Sequence, residues 1–458
     1  MRSNRLKFAI GVAVLATSLA SCSSSGTSAS LSPAGNGGPT GAATVPTVGP
    51  TDVSSGGSGG SSAPGVTSSS IKIGLITDET GPLSSSFNTT EKGVQGYFNM
   101  INAQGGVAGR KLSLVTADDA STAQQGLTAA RSLESQGVFA IINVSAASPS
   151  GSYRYMQQQG IPVVGSCYDG PEWSNPANSN MFSWNGCNGK APGTTTLGAF
   201  FKEKKATKLG VLAYGGVPSS AANSLNYASA AQSVGIPTVY KGLSVGLTQV
   251  DFSPEALAIK SSGADAIAAS MGQATDLGVS TALANLGYHP IQLYAGVGYD
   301  PATLQDPTTK SAAQNDYFTV QFRPVETNTP ATKAFAKNFE QYAGISGVPP
   351  FGAATGWFGA SLLVAGLQKI GSGELTRKSY IAAMHTLSGF DADGMLASKL
   401  DLSKRWGQGA FGLDPNNCAF VVQLQGDKFV PQNNGNPYCG KVIPGSNQTP
   451  DNPAVNPS

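Results

Sequence analysis

The sequence predicts an α/β fold built as two doubly wound lobes. Three observations lead there. Short apolar runs alternate with amphipathic stretches from Ile71 onward, the pattern of parallel strands joined by crossover helices. Each apolar run ends in a small polar loop, so successive strands send their loops to one sheet edge, where open α/β sheets bind ligands. The series then occurs a second time at similar size, and Gly160-Ile161-Pro162 is echoed by Gly235-Ile236-Pro237.

In the first series, Ile71–Ile76 reads as a strand that runs into the turn-rich loop Thr77-Asp78-Glu79-Thr80-Gly81-Pro82. Asn88-Thr89-Thr90-Glu91 has the form of a capping box. It opens a helix whose Val94, Tyr97, Phe98 and Ile101 share one face. Lys111–Thr116 is the second strand, followed by the acidic turn Asp118-Asp119, and Ser121–Gln136 is the second helix. Val138–Asn143 is a strand, 144–148 a polar loop and Ser150–Gln159 a helix. Val163–Gly165 is the next strand, ending in the loop Ser166–Trp173. These last two loops form one wall of the expected cleft.

The second series begins with a helical run, Thr194–Lys204, and the strand Leu209–Tyr214. Helix Ala221–Val234, strand Val239–Leu243, a helix ending at Ser261, strand Ala264–Ser270, helix Asp276–Leu286 and strand Ile291–Ala295 follow. Tyr317–Phe322 is strand-like. Thr332–Tyr342, Gly352–Lys369 and Ser379–Leu387 are helical, the middle one apolar enough to be buried. Cys418–Gln425 and Lys428–Val430 form a hairpin about Gly426-Asp427.

Bulk properties narrow the function. The chain has 458 residues, a net charge of +2 and only 12% charged residues, which argues against nucleic acid as a partner. The basic cluster Lys202-Glu203-Lys204-Lys205 reads as the solvated end of a helix. Arg2, Arg5 and Lys7 precede an apolar run, Phe8–Ala20. At about 13 residues it is shorter than the about 20 a spanning helix needs, so it reads as a targeting segment. It ends Leu19-Ala20-Ser21-Cys22, which resembles the bacterial lipobox and implies lipidation at Cys22. Residues 23–70, rich in Ser, Gly, Thr, Pro and Ala, cannot bury enough surface to offset ordering and read as a tether.

Cys167, Cys187, Cys418 and Cys439 remain, an even number in an exported chain. Three pairings are open, of which Cys167–Cys187 with Cys418–Cys439 is the simplest. With no CxxC and only two His, no metal site is expected. No Gly-x-Ser-x-Gly elbow at a strand-to-helix turn, no HExxH and no Walker loop is seen, and the paired acids Asp78-Glu79 and Asp118-Asp119 sit in turns. The sequence therefore points to binding, not catalysis, and to no cofactor.

Several segments carry a family resemblance: Ile71–Gly74 through Thr80-Gly81-Pro82, Ile101-Asn102 with Gly105–Lys111, Asp118-Asp119, Gly160-Ile161-Pro162, Pro171-Glu172, Asp251-Phe252-Ser253, Gly389-Phe390-Asp391 with Gly394, and Gly426–Phe429. In order and spacing the chain resembles the type I periplasmic binding proteins, in the leucine/isoleucine/valine-binding branch serving ABC importers, over about residues 71–440. The resemblance implies two Rossmann-like lobes joined by three hinge crossings, closing on ligand in the cleft between them. It implies a division into residues 71–188 and 298–387 for the N-lobe, and 189–297 and 388–440 for the C-lobe, with a loose tail at 441–458.

The resemblance also implies a site. Ser148, with Ser145 and Ala147 beside it, maps to the loop that offers a hydroxyl and amides to a ligand carboxylate, a chemistry suited to a helix N-terminus. The alternative for Ser148 is a plain N-cap. Tyr168 and Asp169 fall in the next cleft loop, where the family commonly has Ala and Thr. Asp169 could accept hydrogen bonds from a ligand ammonium and Tyr168 could pack on a ligand chain or ring, and the bulk there points away from a small aliphatic amino acid. Thr80 and Gly81 on the first loop, and Tyr214, Ser219, Gln273 and Tyr299 from the second lobe, complete the expected set. The implied function is the substrate-binding component of an ABC importer for an amino-acid-like or amide solute. Such a component would be monomeric, lipid-anchored outside the cytoplasm and partnered by permease subunits. A sensor reporting to another membrane partner would share every one of these features.

Overall fold

A computed structural model describes residues 63–446 apart from 169, 188–191, 405–408 and 411–412. The first lobe runs β1 (Ser70–Thr77), α1 (Ser84–Phe87), α2 (Thr90–Ala103), β2 (Lys111–Asp118), α3 (Ala123–Ser135), β3 (Ala140–Val144), α4 (Ser148–Gln158), β4 (Val163–Gly165) and β5 (Met181–Ser183). Its sheet has the order β2-β1-β3-β4-β5 and is parallel throughout. β3 and β4 are buried along their whole length, as expected of strands covered by helices on both faces.

The second lobe continues with α5 (Gly198–Glu203), β6 (Leu209–Tyr214), α6 (Pro218–Gln232), β7 (Thr238–Val245), α7 (Ser253–Ser262), β8 (Ala266–Ser270), α8 (Gln273–Asn285), β9 (Ile291–Tyr294), α9 (Pro301–Gln305), α10 (Pro307–Ala312) and β10 (Tyr317–Val320). The chain then returns to the first lobe as α11 (Pro330–Ala343), α12 (Phe351–Ile370) and α13 (Arg377–Met384). Helix α12 packs on α2, β3 and β4. A small pair, β11 (Ser388–Phe390) and β12 (Leu400–Asp401), precedes β13 (Cys418–Gln425), β14 (Lys428–Pro431) and β15 (Tyr438–Cys439). The second sheet has the order β14-β13-β10-β9-β8-β6-β7, with β13 antiparallel to its neighbours and β15 beside it.

The chain therefore passes between lobes after β5, after β10 and again before β13. The passages are tied to one another. Gly186 N–H donates to Leu413 C=O at 2.9 Å and Arg323 N–H to Met395 C=O at 2.7 Å. Trp184 and Phe322, from the first and second passages, both pack on Phe358 of α12, with ring centroids 5.3 and 5.1 Å apart.

Several expectations need correction. β10 pairs with β9 and β13 in the second sheet, so residues 298–320 belong to the second lobe, not the first; a short strand after a helix gives no clue to which sheet it joins. The tether does not extend to residue 70: Val66 is buried and Lys72 N–H donates to Gly65 C=O. The tail is not loose at its start, since Val442 bridges Thr194 and Ile443 N–H donates to Gly193 C=O. The capping box at residues 88–91 is not formed; Thr89 precedes α2 without a side-chain cap, and its Oγ1 instead accepts from Ala353 N–H of α12. Lys204 is not simply solvated: its ammonium bonds Gln432 and lies 5.2 Å from the Tyr317 ring centre.

Candidate functional site: a cavity between the lobes

The loops at the C-terminal edges of the two sheets face each other across a cavity whose empty space, open mouth included, is about 870 Å³. The first lobe contributes a cluster of three rings. Phe87 of α1, Tyr168 of the loop after β4 and Phe351 at the start of α12 have centroids 5.9, 5.8 and 5.4 Å apart. Leu83 and Ala146 extend this wall. The second lobe contributes Tyr214, Val217, Met271 and Val297, and the passage after β10 adds Gln321 and Phe322. Among the described residues the lining holds no Asp, Glu, Lys, Arg or His.

The polar groups are few and mostly committed. Ser219 Oγ donates to Tyr168 C=O, joining the lobes. Tyr168 Oη donates to Gln321 Oε1 at 3.1 Å, which also accepts from Asn185 Nδ2. Burial drives the Tyr168 phenol far above its ordinary value, so it stays a neutral donor. Tyr214 Oη is hydrogen-bonded to Thr275 Oγ1 at 2.7 Å and accepts from Gly272 N–H. A Cβ on Gly272 would lie 2.9 Å from Tyr214 Oη, so a larger residue there would displace the phenol. Two polar residues of the lining, Ser86 and Asn223, each bury an oxygen, Ser86 Oγ and Asn223 Oδ1, that has no protein partner.

Of the expected residues, Tyr168, Tyr214 and Ser219 line this cavity together. Asp169 lies outside the described residues. Ser148 is fully buried and not on the lining; its Oγ accepts from Asn143 Nδ2 at 3.1 Å. Ser145 acts as the turn acceptor, its Oγ taking the N–H groups of both Ala147 and Ser148 at 3.0 Å. Ala146 N–H donates to Asp78 Oδ2 at 3.2 Å. The amides expected to hold a carboxylate are thus consumed inside the protein. Thr80 is turned to Asp118, which takes both its N–H and hydroxyl. Gly81, at φ 89°, packs against Ala120, where a Cβ would meet the backbone. Gln273 bonds Thr303, and Tyr299 bonds Glu326 and the Val325 N–H in the second passage.

Beneath the wall, Asp78 and Asp119 form a buried carboxyl pair. Burial and the neighbouring Asp119 raise Asp78 to about 8, and burial raises Asp119. The pair retains a proton at neutral pH and braces the loop that carries Ala146. The Cys167–Cys187 disulfide holds the Tyr168 loop to the first passage, and Cys418–Cys439 joins β13 to β15. Sequence reasoning missed Ser86, Phe87, Asn223 and Phe351. Phe351 alone carried a signal, standing after Pro349-Pro350 at the head of an apolar helix.

The family model for periplasmic binding proteins matches residues 70–428. The chain belongs to the periplasmic binding protein family. This agrees with the motif resemblance and places the chain among binding proteins rather than enzymes. Among its relatives by sequence is Leu/Ile/Val-binding protein homolog 3 of Brucella melitensis, 28% identical over 204 residues. That match takes in 43% of this chain and 53% of the relative, so the chain spans about half the length of that curated relative. Two solved structures share the fold. One is a fatty acid ABC transporter substrate-binding protein from Thermomonospora curvata, with a TM-score of 0.66 and 19% identity over 86% of this chain and 95% of that one. The other is an R. palustris ABC transporter solute-binding protein in complex with benzoate, with a TM-score of 0.67 and 19% identity over 83% and 99%. As a periplasmic binding protein the chain acts outside the cytoplasm, and no helix among the described residues is long and apolar enough to cross a membrane.

Proposed function

We propose that this periplasmic binding protein is the solute receptor of an ABC importer. The observation that carries the reading is the cavity itself, lined from both lobes and bridged by the Ser219–Tyr168 hydrogen bond. A solute seated there replaces water between the two walls and favours the closed arrangement, whose outer surface a permease can recognise. The Cys22 lipid and the Ser/Gly/Pro tether would hold the receptor, as a monomer, at the extracytoplasmic face of the membrane. Of the amino-acid-like and amide solutes, the amide suits an uncharged lining better. The fatty acid and benzoate proteins, both binding components of ABC transporters, support the transport role.

Thermal-shift screening of the mature chain against amino acids, amides, ureas, aromatic acids and fatty acids tests this. A ligand present at 100 times its Kd stabilises by about 2.7 kcal/mol and raises the Tm. A response to at least one class is expected. If none of these solutes raises the Tm, the receptor reading fails.

A further inference from the structure

We propose that the cavity selects an uncharged, largely apolar ring compound bearing an amide, and that Asn223 and Ser86 read that amide from opposite lobes. The inference rests on the solute-receptor reading and deepens it.

Three observations converge. First, the lining offers no ionic partner among the described residues, while a ligand carboxylate or ammonium buried there would lose its hydration. The amides of residues 146–148, where a carboxylate would otherwise be held, already donate to Asp78 and Ser145. Asp78 also sets negative charge, not positive, behind that loop whenever it ionises. Second, the Phe87, Tyr168 and Phe351 rings form one continuous aromatic wall against which a flat ring can stack or pack edge-on. Third, Asn223 is held rigidly, its Nδ2 donating to Tyr227 Oη at 3.0 Å and to Ser270 Oγ at 2.9 Å. Its Oδ1 is left buried without a partner, and so is Ser86 Oγ on the other lobe, while both residues line the cavity. An unpaired buried polar atom is costly, and a ligand that supplies the missing hydrogen bond recovers that cost. A primary amide suits both: its N–H donates to Asn223 Oδ1, and the Ser86 hydroxyl can donate to its carbonyl or accept its second N–H.

Calorimetric titration of the mature, disulfide-bonded chain with 2-phenylacetamide, phenylacetate, 2-phenylethylamine and phenylalanine separates the alternatives, since the four share a ring and differ in charge. The amide is expected to bind at least tenfold more tightly than the other three. Asn223→Ala and Ser86→Ala are each expected to weaken the amide about tenfold while leaving toluene-like, donor-free analogues unchanged, with the Tm recording that the variants fold. Preference for phenylacetate, phenylethylamine or phenylalanine overturns the inference and leaves the receptor reading standing. For the amine, loss of binding in Asp169→Asn would identify the responsible charge. If no compound in this set or in the wider solute screen binds, the receptor reading itself fails and the inference falls with it.

Discussion

Ser148 and Tyr168 are both cleft-loop residues, yet only one faces the cavity. Ser148 sits at the start of α4, and its hydroxyl accepts from Asn143 Nδ2 inside the lobe. Ser148→Ala should therefore lower stability by about 1–3 kcal/mol, the cost of an unsatisfied buried group, with little change in solute preference. Denaturant titration and calorimetry together read both effects. Ser219→Ala should do the reverse. It removes the donor to Tyr168 C=O across the lobes, so solute binding should weaken about tenfold while the Tm hardly moves. The sequence marked Tyr168, Tyr214 and Ser219 because each ends or follows a strand at the ligand edge. It could not mark Ser86 or Asn223, since a Ser in a short helix and an Asn in an Ala/Ser-rich helix read as ordinary exposed side chains, whereas both are buried in the fold.

Helices α2 and α12 approach closely because Gly93 faces α12. A Cβ on Gly93 would fall 1.8 Å from Ala353 C=O. Gly93→Ala should force the helices apart and cost about 1–3 kcal/mol or more, read as a lower denaturation midpoint. The Cys167–Cys187 disulfide closes a loop of 20 residues and is worth about 3 kcal/mol in the chain-entropy model. Replacing both cysteines by Ser should weaken solute binding as well as stability, because the bond holds the Tyr168 loop. The same change at Cys418 and Cys439 should affect stability alone. Strand and helix order was legible in the sequence because the apolar period changes from run to run. Lobe membership was less so: β10 is a short, mostly apolar run of a kind found in either sheet, and only its pairing with β9 and β13 assigns it.

At the scale of the molecule, buried acids tie stability to pH. Asp78 is raised to about 8 by burial and by Asp119, and Asp316 to about 8 by burial. Each has an unfolded value near 4, so the folded state holds more protons than the unfolded state between those limits. Stability is highest in the acid part of that window and falls as pH rises through about 8. Asp316→Asn should flatten the fall, since Ser280 and Gln292 remain beside the site; equilibrium unfolding at pH 5 and pH 8.5 measures it. The two-lobe arrangement was legible from the repeated strand–helix series; the family motifs implied three passages between lobes but set the second one before β10 instead of after it. The neutral character of the cavity was not, because it depends on which loop amides are already used and on α1 and α12 meeting the loop after β4.

Small-angle scattering of the mature chain, with and without a saturating uncharged aromatic amide, tests most directly whether solute capture closes the lobes. The account predicts that the radius of gyration falls on addition of the amide, and that the fall is lost in Ser219→Ala at the same solute concentration. A solute that binds with full occupancy and leaves the radius of gyration unchanged would contradict it.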